Sequence, residues 1–143
     1  HLLVVVSERL PLIHCDAILL VQLFDNLIEN AIKYSPSDTP IEIQAQATAS
    51  ALEVRVIDQG EGIADAWKHK VFQAFERVHA EASQADATDE KQLRRGMGVG
   101  LAVCKAIAKV HHAKLWVEDR QPHGAVMCLQ LPVQQQPNVT LEA

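Results

Sequence analysis

Aromatic residues make up only 4% of the 143 residues, and the lysines and arginines form no stripe with aromatics between them. A general nucleic-acid surface needs such a basic stripe, and the net charge of −5 argues against one as well. Cysteine is limited to Cys15, Cys104 and Cys128, odd in number, far apart and without a C-x-x-C pair. That argues against a disulfide framework or a zinc site and for a reducing, cytosolic setting. His111 and His112 have no ligand set around them. No apolar run approaches the ~20 residues of a membrane span. The opening Leu2–Val6 has neither the charged start nor the cleavage site of a secretory signal. What remains is a chain of one-domain length that is 48% hydrophobic, enough for a real core.

Periodicity orders that material. The valines of Leu2–Glu8 favour a strand. Asp16 is an N-cap for a helix to Tyr34 that stops before Ser35-Pro36. Apolar residues alternate with polar ones over Ile41–Thr48 and again from Leu52 to Asp58, which is strand period. A short helix follows Asp65, a second long helix covers Gly98–His112, and Lys114–Asp119 with Ala125–Leu131 forms a closing hairpin around Pro122 and Gly124. The predicted fold is a two-layer α/β sandwich: a mixed sheet of about five strands with about three helices on one face. Residues 1–133 form the domain and 134–143 a frayed tail.

Three glycines, Gly96, Gly98 and Gly100, alternate in "RRGMGVGLAVCKA" just before an apolar helical run. The spacing fits neither a P-loop nor the dinucleotide fingerprint. Glycine still lets a ligand approach main-chain N–H groups, and a helix start presents those groups to an anion such as phosphate. A hinge before a core helix is the plainer alternative. On the first helix, Leu20, Leu23, Phe24, Leu27 and Ala31 form an apolar stripe, and Gln22, Asn26, Glu29, Asn30 and Lys33 a polar one roughly opposite. Two asparagines at i, i+4 have no propensity reason to be there. Their amide oxygens suit Mg²⁺ that already carries phosphate, and Lys33 is placed to meet a phosphate as a point charge. "DQGEGI", Asp58 to Ile63, follows a strand. It reads as a tight turn, or as a carboxylate acceptor for the exocyclic amine of adenine. The Phe72/Phe75 patch is core, or the anchor of the polar segment that runs on to Gly96.

In order and spacing these pieces resemble the ATP-binding catalytic domain of bacterial sensor histidine kinases, within the wider family of gyrase, Hsp90 and MutL ATPases. "NLIENAIKYS" resembles the N box, "DQGEGI" the G1 box, "VFQAFERV" the F box and "GMGVGLAVCKAI" the G2 box. The resemblance spans roughly Leu10 to Val133 and is most like the potassium-responsive sensor kinases. It implies a Bergerat-type ATP-binding fold with ATP and Mg²⁺ as ligands. Asn30 would bind Mg²⁺, with Asn26 as a second ligand or polar contact. Lys33 and Tyr34 would face phosphate and ribose, Asp58 would read adenine, and Gly60, Gly62 and Ile63 would shape the base pocket. Phe75 and Leu101 would line the nucleotide site, Gly96, Gly98 and Gly100 would cradle the phosphates, and residues 77–95, with Arg94 and Arg95 at their end, would form a lid.

Two departures from the family pattern stand out. Met97 replaces a common Thr or Ser, and "VHHAKL" replaces His-Gly-Gly after the last helix, which removes the usual glycine cap. Transfer of a γ-phosphoryl group needs an acceptor in line, and none of the seven histidines lies in anything like a phosphoacceptor segment. The expected partners are therefore a histidine-bearing dimerisation domain outside this chain and, downstream, a response regulator. No contact with nucleic acid or membrane is expected of the domain itself. The setting implied is the cytoplasmic part of a membrane-bound sensor. Asn26 stands where hydrolysing relatives carry Glu, leaving Glu29 as a weak base or supporting residue. A family ATPase or a non-catalytic nucleotide-sensing module are the alternatives.

Overall fold

The computed structural model describes residues 1–7, 9–73 and 100–133. Five strands form one mixed sheet: β1 (Leu2–Val6), β2 (Ile41–Ala47), β3 (Ala51–Ile57), β4 (Lys114–Asp119) and β5 (Ala125–Pro132). Their spatial order is β1-β2-β3-β5-β4. β1 runs parallel to β2, and every other pairing is antiparallel. Helix α1 (Ala17–Tyr34) and helix α2, over 100–110, lie on one face. Two single turns of 3-10 helix, Asp65–Trp67 and Lys70–Phe72, follow β3.

Side chains alternate along a strand, so register decides which face each one meets. Ile43 pairs with Val56, Val56 with Met127 and Met127 with Val117, one continuous apolar row across four strands. Leu23 and Leu27 of α1 and Leu101, Cys104 and Ile107 of α2 close over that face. Val71 and Phe72 of the second 3-10 turn complete the core. The opposite face carries Arg55, paired with Glu53 at 3.1 Å and with Glu118. Beneath Arg55 and Trp116, its cross-strand neighbours, Cys128 is fully buried, and that burial pushes its thiol up to about 11.

The termini of the helices follow from local chemistry. The Asp16 carboxylate accepts the Leu19 N–H at 3.1 Å, and β-region backbone at Ser35, ahead of Pro36, ends α1. The glycine missing from the end of α2 does not remove the cap. His112 takes the left-handed conformation itself, with φ of 54°. The Ala113 N–H donates to Ala108 O at 2.8 Å and the His112 N–H to Lys109 O at 3.2 Å, the two bonds of a Schellman motif. His111 then joins the two helices. Its Nε2 accepts the backbone N–H of Asp16 at 3.0 Å while its Nδ1 donates to Ile107 O at 2.8 Å.

An L-residue in the left-handed region is strained, whereas glycine is not. His112 is exposed, so His112→Gly is expected to stabilise the fold by about 0.5–1 kcal/mol after the entropy glycine adds to the unfolded chain. Thermal melts should show a rise of about 2–4 °C; a fall would mean that the His112 side chain contributes more than its strain costs.

Candidate functional site

The site begins where β3 stops. Pairing with β5 continues one residue past the strand, the Asp58 N–H donating to Ala125 O at 2.9 Å. The Asp58 side chain then turns back, and its Oδ1 accepts two backbone N–H groups, Gly60 at 2.9 Å and Ala125 at 3.2 Å. The residue is 6% exposed. Burial raises its carboxyl above the usual 3.8, opposed by the two N–H groups and by the Arg120 guanidinium. Both bonds fall on Oδ1, so among the described residues Oδ2 is the acceptor left over.

Backbones meet at van der Waals distance around this carboxylate. A Cβ on Gly60 would stand 2.3 Å from the carbonyl oxygen of Tyr34, the last residue of α1. One on Gly124 would stand 2.1 Å from Asp58 O, and Gly124 has φ of 116°. Glycine is therefore required at both places by space, and at Gly124 by conformation too. Gly62 faces the Gly124 carbonyl from the other side. The β4–β5 turn, the loop after β3 and the end of α1 thus close around a cavity of about 990 Å³. That volume is at the upper end of the usual small-molecule range.

Of the residues the sequence singled out, the cavity wall contains Asn30, Lys33, Tyr34, Asp58, Gly60, Gly62 and Ile63. Asn30 corrects one expectation. It lies not on an exposed polar stripe but on the buried face of α1, 8% exposed, because it shares a row with Leu23 and Leu27 at helical spacing. Burial also raises the Tyr34 hydroxyl above its usual 10.0. Asn26 and Glu29 are not among the described residues lining the cavity. Asn26 donates through Nδ2 to Gly100 O at 3.4 Å, tying α1 to α2. Its amide also reaches the buried Cys104 thiol, which burial pushes up to about 12. Glu29 is exposed, and Leu101 is a core residue. Phe75, Gly96, Gly98, Met97, Arg94, Arg95 and the expected lid lie outside the described residues, as does the tail.

The sequence reading missed His123, Ala125 and Met127, which also line the cavity. Their signal was the hairpin turn "RQPHGA", but only the order β3-β5-β4 carries that turn to Asp58. His123 Nδ1 donates to Gly60 O at 3.0 Å.

The sequence profile of the histidine kinase-, DNA gyrase B- and HSP90-like ATPases matches residues 15–135. The chain belongs to this family. Among its relatives are cyanobacterial phytochrome A of Nostoc, 34% identical over 90% of this chain and 16% of its own length, and sensor protein KdpD of Escherichia coli, 33% over 92% and 14%. The adaptive-response sensory kinase SasA of Microcystis aeruginosa is 29% identical over 90% of this chain and 31% of its own length. The chain thus spans less than a third of the curated relatives it matches, and the similar identities point to a family rather than to one branch. The mycobacterial sensor histidine kinase MprB superposes with a TM-score of 0.71 at 26% identity, covering 94% of this chain and 83% of that one. The catalytic domain of histidine kinase ThkA shares the fold, with a TM-score of 0.72 at 23% identity over 92% of this chain and 78% of that one. The chain is an ATP-binding domain of the sensor-kinase type within this ATPase family.

Asp58→Asn separates the fold from the site. The amide oxygen keeps both backbone N–H groups, and the buried charge is gone. An acid whose folded-state value lies above 3.8 subtracts stability when ionised, and that penalty vanishes as pH falls through the folded-state value toward 3.8. At pH 7 the Asn variant should therefore melt at or above the unsubstituted chain, losing any such advantage by about pH 4. A variant clearly less stable at pH 7 would contradict this balance.

Proposed function

We propose that the chain binds Mg-ATP and donates the γ-phosphoryl group to a histidine on a domain outside it, in two-component signalling. The observation that carries this reading is the buried Asp58 carboxylate on the wall of a nucleotide-sized cavity, with Oδ1 engaged by backbone and Oδ2 left over among the described residues. An ionised carboxylate only accepts, so its open oxygen selects a base with an exocyclic amine, adenine, in that position. Gly60 and Gly62 let the base lie against backbone. Tyr34 and Lys33 extend the wall along the last turn of α1 toward ribose and phosphate.

Asn30 fits the magnesium that would accompany the nucleotide. It is a buried amide on the cavity wall, with no hydrogen bond to another described residue. The described residues contain no group of His, Cys, Asp or Glu able to hold a metal alone. A site for Mg²⁺ would therefore depend on phosphate oxygens and water as well as Asn30. When bound, Mg²⁺ supplies charge neutralisation across the phosphates. Asn26, as a further contact, would act beside Gly100, where backbone N–H groups would meet the phosphates. Gly96, Gly98, Phe75 and Leu101 complete the proposed set, with Glu29 as a weak base.

In the transfer, an imidazole nitrogen of the acceptor forms the N–P bond as the bond to the bridging oxygen breaks, and ADP leaves with that electron pair. Asn26 cannot take a proton at neutral pH, and an imidazole nucleophile needs little help of that kind. The same reading makes a response regulator the downstream partner and a membrane-bound sensor the parent protein, with this domain on the cytoplasmic side. No helix among the described residues is long and apolar enough to cross a membrane.

Incubation with radiolabelled ATP and Mg²⁺, with and without the phosphoacceptor domain of the parent protein, tests the proposal. Label is expected on the supplied domain only, with negligible ATP hydrolysis by the chain alone. Label on a histidine of the isolated chain would refute a separate acceptor. Steady hydrolysis abolished by Glu29→Gln would favour the ATPase reading, and binding without transfer the sensing module.

A further inference from the structure

The β4–β5 turn contributes a side chain to the base end of the cavity that none of the sequence boxes contains. We propose that His123 is a positioning residue for the nucleotide, locking the Gly60 peptide so that its carbonyl does not compete with Asp58 for the base. The inference rests on the Mg-ATP reading of the same cavity and deepens it.

Gly60 is held from both ends. Its N–H donates to Asp58 Oδ1 at 2.9 Å, and its carbonyl accepts from His123 Nδ1 at 3.0 Å. A carbonyl cannot donate, so the ring carries its proton on Nδ1 in this arrangement. The turn that presents the ring is itself fixed. Arg120 donates from Nη1 to His123 O at 3.0 Å and from its backbone N–H to Gly124 O at 3.0 Å. Gly124 presses against Asp58 O with no room for a Cβ. The backbone that carries the imidazole is thus tied on both sides, and His123, an exposed residue, lines the cavity with Gly60 and Asp58. With both polar groups of Gly60 engaged, its carbonyl does not compete for the base. Without the ring, that carbonyl would be free to turn toward the cavity or water, and the peptide would lose one of its two restraints.

Three substitutions separate hydrogen bonding from bulk. His123→Ala removes ring and donor. His123→Phe keeps a ring without a donor. His123→Asn keeps an N–H donor close to the place of Nδ1. Titration calorimetry with Mg-ATP on each folded variant, with Asp58→Ala alongside, is the test. Ala and Phe are expected to weaken binding by up to about tenfold, the upper value of one neutral hydrogen bond, with Asn restoring it to within about twofold; the melts follow the same donor and fall by a few degrees in Ala and Phe. A purely structural role would lower the melts and leave the affinity of the folded variants at the wild-type value. Wild-type affinity in Ala or in Phe, or an Asn variant as weak as Ala, would overturn the proposal. If those results came with binding lost in Asp58→Ala, the adenine reading would stand and only the role of His123 would fall. Undiminished binding by Asp58→Ala would remove the nucleotide reading and this inference with it.

Discussion

One carboxylate oxygen organises this domain. Oδ1 of Asp58 accepts the N–H of Gly60 in its own loop and that of Ala125 on the neighbouring strand. It thereby fastens the loop after β3 to the start of β5. Burying a carboxylate is unfavourable unless donors meet it. Here one donor, the Ala125 N–H, belongs to a strand whose position the sheet fixes, through the register Ile57↔Val126 and the Asp58–Ala125 ladder bond. The sheet thus holds the acceptor in place, and the acceptor holds the loop.

The rest of the cavity follows from that arrangement. Gly60 can pass under the Tyr34 carbonyl only without a side chain, which brings the end of α1 over the loop. The last turns of α1 then contribute Asn30, Lys33 and Tyr34 to the same wall. The position of α1 is set by its core row and by polar ties to α2, among them the Cys104 thiol donating to Leu23 O at 3.5 Å. At one end His111 bridges Asp16 and Ile107, and in the middle Asn26 reaches the Gly100 carbonyl. Asn26 thus joins the two helices that flank the proposed phosphate end, a structural use of an amide the sequence suggested as a ligand.

Much of this was legible from local signals. Strand alternation gave β2 and β3 to within a residue or so, Asp16 and Ser35-Pro36 bounded α1, and Pro122 and Gly124 marked the final turn. Asp58, Gly60 and Gly62 were singled out because "DQGEGI" stands in order and spacing with the other three boxes; alone it reads as an ordinary turn. What the sequence hid was non-local or quantitative. Asn30 looked like surface because an amide scores as polar, yet its phase on the helix puts it in the row of Leu23 and Leu27. His112 hid the cap of α2, since glycine is the usual sign of it, and the Schellman bonds nevertheless form at the cost of strain. His123 and Ala125 were invisible as site residues because strand order, not spacing, carries them to Asp58.

The central claim is that the free oxygen of Asp58 reads the amine of adenine. Comparing Mg-ATP with Mg-ITP by titration calorimetry on the unsubstituted chain tests it most directly. Inosine carries a carbonyl where adenosine carries the amine and is otherwise the same size. The account predicts saturable binding of Mg-ATP and affinity for Mg-ITP weaker by at least about tenfold, since an acceptor would then face an acceptor in a buried site. Equal affinity for the two nucleotides would contradict it and leave Asp58 as a structural clamp alone.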